Sequence, residues 1–115
     1  MEPTFAVEDR RAVDGVSVFA LSGELDCAAA GRVRALVDGA HTGRAVVLDL
    51  GAVTFVDSAV LKELLRARVE LAASGVRLLL AAVPRPVRRL LDLTRTTELF
   101  ESAPDAGAAV RRLSA

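Results

Sequence analysis

The sequence predicts one α/β domain over residues 1–115, a mixed β-sheet of about four to five strands with about four helices. Three observations carry that expectation. Apolar residues recur with period two in some segments and at i, i+3, i+4 in others, and the two patterns alternate along the chain. Two runs, RAVVLDLG and VRLLLAAV, are apolar almost throughout, as strands buried on both faces of a sheet are. Finally, 115 residues leave room for one core rather than two.

Residues 4–10 alternate, with Phe5 and Val7 against Thr4 and Glu8, and read as a first strand. Val13-Asp14-Gly15 is a turn signal leading into a second strand, VSVFALSG, so the two should form a hairpin. Asp26 is an N-cap candidate for a helix through Ala28 to Val37, with Gly39 as its stop. RAVVLDLG is the third strand. A helix follows Ser58 and runs to about Ala73, where Ser74-Gly75 ends it. Its polar face carries Lys62, Glu63, Arg66 and Glu70, the last two spaced as a supporting pair. VRLLLAAV is the fourth strand. PRPVRRLLDLTR opens with prolines, which suit a first helical turn, and places Val87, Leu90, Leu91 and Thr94 on one stripe. ELFES reads as a short edge strand, and Pro104 opens a last helix through Ala109, Val110 and Leu113. The order β-β-α-β-α-β-α-β-α implies a mostly parallel or mixed sheet joined by right-handed crossovers.

Composition narrows the function. Apolar residues make up 52% but aromatics only 3%, with no Trp or Tyr, so the core is aliphatic and few rings are left to stack on bases or sugars. Fifteen basic and fifteen acidic side chains cancel, which speaks against a binder of nucleic-acid backbones. Residues 1–57 carry nine acids and five bases, residues 58–115 six and ten, an imbalance that favours a divided surface charge. Cys27 is alone, so no internal disulfide forms. The opening MEPTFAVEDRR lacks the pattern of a signal peptide, and VRLLLAAV is too short to cross a bilayer. A cytoplasmic, soluble protein without membrane contact is expected.

Enzymatic chemistry finds little support. Neither glycine-rich phosphate motif occurs, and Ser58 lacks the flanking glycines of a nucleophile elbow. His41 is the single imidazole and lies in the turn-rich GAHTG. One His and one Cys with no clustered spacing make no zinc site, so neither metal nor other cofactor is expected. What remains is Asp57-Ser58, a lone acid and hydroxyl where the apolar strand gives way to the helix. Either can cap the helix, leaving the other free for different work. A phosphate on Ser58 would stand at the positive end of a helix and add nearly two negative charges beside Asp57. That is a surface switch which need not unfold the domain.

At these residues the chain resembles the STAS domains, and within them the bacterial anti-sigma-factor antagonists. ALSGELDCAAAGRVRALV is similar to the family's strand, G-E-L-D loop and first helix; VVLDLGAVTFVDSAVLKELL is similar to its signature strand, D-S-[ST]-G-L loop and second helix; VPRPVRRLLDLTRTTELF resembles its third helix and following strand. The resemblance implies helices packed chiefly on one face of the sheet. It also implies a non-enzymatic regulator, which binds an anti-sigma factor so that a sigma factor is released. In the family that anti-sigma factor is also a serine kinase, which disables the antagonist by phosphorylation, and a serine phosphatase reverses this. The modified serine corresponds to Ser58. Asp57 matches the signature aspartate, and Glu24 and Asp26 match the acidic loop beside it. With Ala59, Val60 and Lys62 these make the expected partner-binding surface.

The chain departs from the family's pattern at three positions. Ala59 and Val60 stand where a second Ser or Thr and then Gly are usual, and Arg95 stands where many relatives have Gly. A β-branched Val cannot adopt positive φ cheaply and would add bulk at a partner-facing loop. This departure favours an alternative: a STAS scaffold subunit of a larger signalling complex that is not a reversible phosphoswitch.

Overall fold

A computed structural model describes residues 5–10, 14–40 and 43–114. Of the positions read above, Thr4, Val13 and His41 lie outside the described residues. The elements are β1 (Phe5–Asp9), β2 (Val16–Leu25), α1 (Cys27–Ala40), β3 (Ala45–Val56), α2 (Ser58–Ala73), β4 (Arg77–Ala81), α3 (Arg85–Leu93), β5 (Glu101–Ala103) and α4 (Ala106–Ser114), with a 3-10 turn at Thr97–Leu99. They form one mixed sheet in the order β1-β2-β3-β4-β5. β1 is antiparallel to β2, and all other neighbours are parallel.

Each crossover steps one strand further in the same direction. Right-handed connections that keep stepping one way deliver their helices to one face. α1, α2 and α3 accordingly share a face. Ala29, Val33 and Val37 of α1, Leu64 and Leu71 of α2, and Val87 and Leu91 of α3 bury against Val46, Leu48, Leu50, Leu78 and Leu80 of the sheet. The alternate residues Val47, Leu79 and Ala81 point the other way, onto Ala109 and Leu113 of α4. This is why β3 and β4 read as unbroken apolar runs: helices cover both of their faces. The expected packing, chiefly on one face, is three helices against one.

Several boundaries differ from the sequence reading. β2 continues past Gly23 to Leu25, and β3 continues past Gly51 to Val56. The extension of β3 holds two irregularities, because Ala20 and Ser22 face Asp49 and Ala52, while Gly23 and Glu24 face Val53 and Phe55. One extra residue enters β3 at each place. Each bulge shifts the alternation by one, so the buried set runs Leu50, Val53, Val56 in place of every second residue. Gly23 takes φ 84° beside the second bulge, a conformation that suits glycine. Further along, Glu98 and Leu99 of the expected edge strand belong to the 3-10 turn, and pairing starts only at Glu101. α1 runs one residue beyond Gly39, to Ala40. α4 is opened by Asp105, whose carboxylate accepts the Ala108 N–H at 2.7 Å, while Pro104 precedes it.

Two helices end in the same way. After α2, the Val76 N–H reaches the Leu71 carbonyl (2.8 Å) and the Gly75 N–H the Ala72 carbonyl (3.0 Å), with Gly75 at φ 75°. After α3, Thr96 reaches Leu91 (2.9 Å) and Arg95 reaches Asp92 (3.1 Å), with Arg95 at φ 58°. Both are Schellman ends, but the left-handed position is glycine in one and arginine in the other.

A side-chain clip joins distant parts of the chain. Arg44 donates from Nε to the Asp14 carbonyl (2.6 Å) and from Nη1 to the Leu113 carbonyl (2.9 Å), tying the β1–β2 turn to the end of α4. A second arginine is less well served. Arg68 Nε is buried with no hydrogen-bond partner among the described residues.

Candidate functional site

β2 and β3 run parallel and finish level, with Leu25 opposite Val56. The next residue of β3 is tied back to β2, since the Asp57 N–H donates to the Leu25 carbonyl at 3.1 Å. Two acid-bearing turns therefore lie side by side at the carboxyl end of the sheet. In the first, Asp26 Oδ1 accepts the Ala28 N–H (3.0 Å) and caps α1. In the second, Asp57 is extended (φ −93°, ψ 175°), and its Oδ1 accepts from Ala59 N–H (3.0 Å) and Val60 N–H (3.2 Å). Its carbonyl takes the first helical bond, from the Leu61 N–H at 3.1 Å.

This settles which of the pair caps α2. Asp57 does, and Ser58 is the first helical residue, exposed, with no hydrogen bond to its hydroxyl among the described residues. The hydroxyl is open to solvent at the first turn of α2. A phosphate placed there would meet the positive end of α2 and, on its other side, the Asp57 carboxylate.

The remaining expected residues divide. Glu24 and Lys62 are exposed, and Asp26, Asp57 and Ala59 are half-buried around Ser58. Lys62 follows Ser58 by one turn of the helix. Three carboxylates against one ammonium leave this rim acidic. Val60 is the exception. It is a helical residue with 0% exposure, its side chain in the main core, so the expectation of added bulk at a partner-facing loop is corrected. Its backbone is outside the left-handed region, which removes any demand for glycine there. The demand is instead present at Arg95.

One surface residue escaped the sequence reading. Phe55 is 48% exposed and aligned with Glu24 across β2 and β3. The second bulge turns it outward while Val53 and Val56 turn in. Among the described residues no group of three or more His, Cys, Asp or Glu side chains is placed to hold a metal ion, and no helix is long and apolar enough to cross a membrane.

Comparison with known proteins gives these turns a context. A family model described as "STAS domain" matches residues 9–109. No curated protein sequence matches the chain. Among solved structures, the anti-sigma factor antagonist SpoIIAA in its unphosphorylated form superposes with a TM-score of 0.80 at 22% identity, covering 96% of this chain and 98% of that one. The phosphorylated form of the Bacillus SpoIIAA gives 0.74 at 22% identity, covering 94% and 99%. An anti-sigma factor antagonist from Mycobacterium paratuberculosis gives 0.80 at 26% identity, covering 96% and 95%. The order of elements, the five-stranded mixed sheet and the matched span agree: this chain belongs to the STAS domain family.

Proposed function

We propose that this protein is an anti-sigma-factor antagonist that acts in the cytoplasm, binding an anti-sigma factor which is also a serine kinase. Phosphorylation of Ser58 switches that binding off, and a serine phosphatase restores it. The observation that carries the reading is the division of labour at the start of α2. Asp57 holds the helix, so the exposed Ser58 hydroxyl is free to be modified without loss of the cap. Its surroundings suit a docking surface: Glu24, Asp26, Asp57, Ala59 and Lys62 share one rim, and Val60 supports it from below. Likeness to two anti-sigma factor antagonists, one solved in both phosphorylation states, supports the same assignment. Nothing in this role calls for catalysis by the protein itself.

The test is incubation with ATP and each candidate anti-sigma serine kinase of the source genome, followed by mass measurement and peptide mapping. A phosphate localised to Ser58, with weaker retention on the immobilised kinase afterwards, is the expected result. Phosphoprotein that binds as tightly as the unmodified form would refute the switch. Large stable assemblies that form without any modification would favour the scaffold reading.

A further inference from the structure

The other end of α2 carries a feature that the Ser58 reading does not use. A groove of about 410 Å³ opens between the second half of this helix and the first residues of β4 and β5. Ala72, Val76, Leu78 and Leu99 give it apolar walls, and Leu99 is 44% exposed at its edge. Gly75, two arginines and one glutamate complete the lining. Arg77 is engaged by Glu101 through two hydrogen bonds of 3.1 and 2.5 Å, and the Arg77 contact holds the Glu101 carboxyl below its usual range. Those two charges cancel. Arg68 is left as the net positive charge of the groove, with no carboxylate partner among the described residues and its Nε–H sealed without an acceptor. Arg66, two residues earlier on the helix, is by contrast paired with Glu70 at 2.7 Å.

We propose that this groove is a binding site for a small amphipathic carboxylate, the acid group on Arg68 and the alkyl part against Ala72, Val76 and Leu99. A guanidinium presents Nε–H and a terminal N–H side by side, a spacing that matches the two oxygens of a carboxylate. A modest swing of the Arg68 side chain toward such a ligand would give the orphaned Nε–H its acceptor. The volume lies at the lower end of the range for small-molecule sites, roughly 300–1,000 Å³. Apolar walls favour a hydrocarbon tail over a bare inorganic anion. The site is independent of the Ser58 reading, because the ten residues from Ser58 to Arg68 separate the two by about 15 Å of helix.

The full-length chain, labelled with ¹⁵N, is titrated with hexanoate, and with hexylamine and acetate as comparators. Hexanoate should give saturable shifts at Val76, Leu78 and Leu99 and at the Arg68 Nε–H signal. Hexylamine should give none there, and acetate should bind at least about tenfold more weakly. Arg68→Gln should weaken hexanoate by about tenfold or more. Leu99→Asp, at an exposed position that leaves the fold intact, should do the same by placing a like charge at the edge. It decides the matter even if the Arg68 variant fails to fold. Shifts that do not saturate, equal shifts with hexylamine, or unchanged hexanoate affinity in Leu99→Asp would each overturn the proposal.

Discussion

Replacing Val60 with glycine, the residue usual at this place in the family, should destabilise the domain. The side chain is fully buried, and burial of a whole valine contributes about 1.5–3 kcal/mol. Glycine within a helix costs up to about 1 kcal/mol more than alanine. The sum, about 2.5–4 kcal/mol, is a large share of the 5–15 kcal/mol typical of a domain. Val60→Ala separates the two parts: it removes the packing but keeps helical preference, so its loss should be smaller, about 1.5–2.5 kcal/mol. The assay is urea unfolding of all three proteins. With a slope of roughly 1–3 kcal/mol/M, the glycine variant should shift the midpoint down by on the order of 1–3 M. A midpoint that rises, or a glycine variant more stable than the alanine one at unchanged slope, would show that residue 60 does not sit in the helix as described.

Asp57→Ala should cost about 1 kcal/mol, because two first-turn amides lose their acceptor; a thermal or urea midpoint unchanged from the parent would contradict the capping role. The matching helix ends supply an internal control. Arg95→Gly should stabilise by roughly 0.5–1 kcal/mol through relief of a left-handed arginine, and Gly75→Ala should destabilise by about 1 kcal/mol, since a methyl there meets open space and only the backbone is strained. The Arg77–Glu101 pair should show in the pH dependence of stability. Arg77 lowers the Glu101 pKa in the folded state, so the pair stabilises above the ordinary glutamate range and the gain disappears as pH falls through the folded value. Both side chains are about half exposed, so Glu101→Gln should cost well under 1 kcal/mol at pH 7 and progressively less as pH falls below the ordinary glutamate range; a difference that does not shrink in acid would be inconsistent with this origin.

Most of the strand and helix order was readable because it rests on local periodicity, and the cap at Asp26 was readable because capping needs only a short polar side chain before an apolar helix, whereas the choice between Asp57 and Ser58 before α2 was not. What escaped depends on pairing. The bulges of β3 exist only relative to β2, so AVTFV shows no sign of them by itself, and both the length of β3 and the outward turn of Phe55 went unread. That Val60 lies in the helix after Ser58 was readable, but that it faces the core and not a partner went unread for a related reason. Its environment is set by where the helix begins, and Asp57 starts it early enough to place residue 60 in the core. The short 3-10 turn over Thr97–Leu99 is likewise a consequence of how Thr96 closes the end of α3, a contact made five residues back at Leu91.

The Arg44 clip bears on the order in which the molecule assembles. Strands that neighbour one another in the sheet also follow one another in the chain, so each can pair with its predecessor across a single turn or crossover. α4 is different: besides its neighbour β5 it lies over β2, β3 and β4, and its tether from Arg44 to Leu113 spans 69 residues. Closing so long a loop is entropically slow compared with pairing adjacent strands. The sheet and its first three helices can therefore form ahead of α4, with Val47, Leu79 and Ala81 still wet. α4 then acts as the latch of a nearly finished structure. Local opening should begin there, as a unit that takes the β1–β2 turn with it through Arg44 and leaves the Ser58 rim in place.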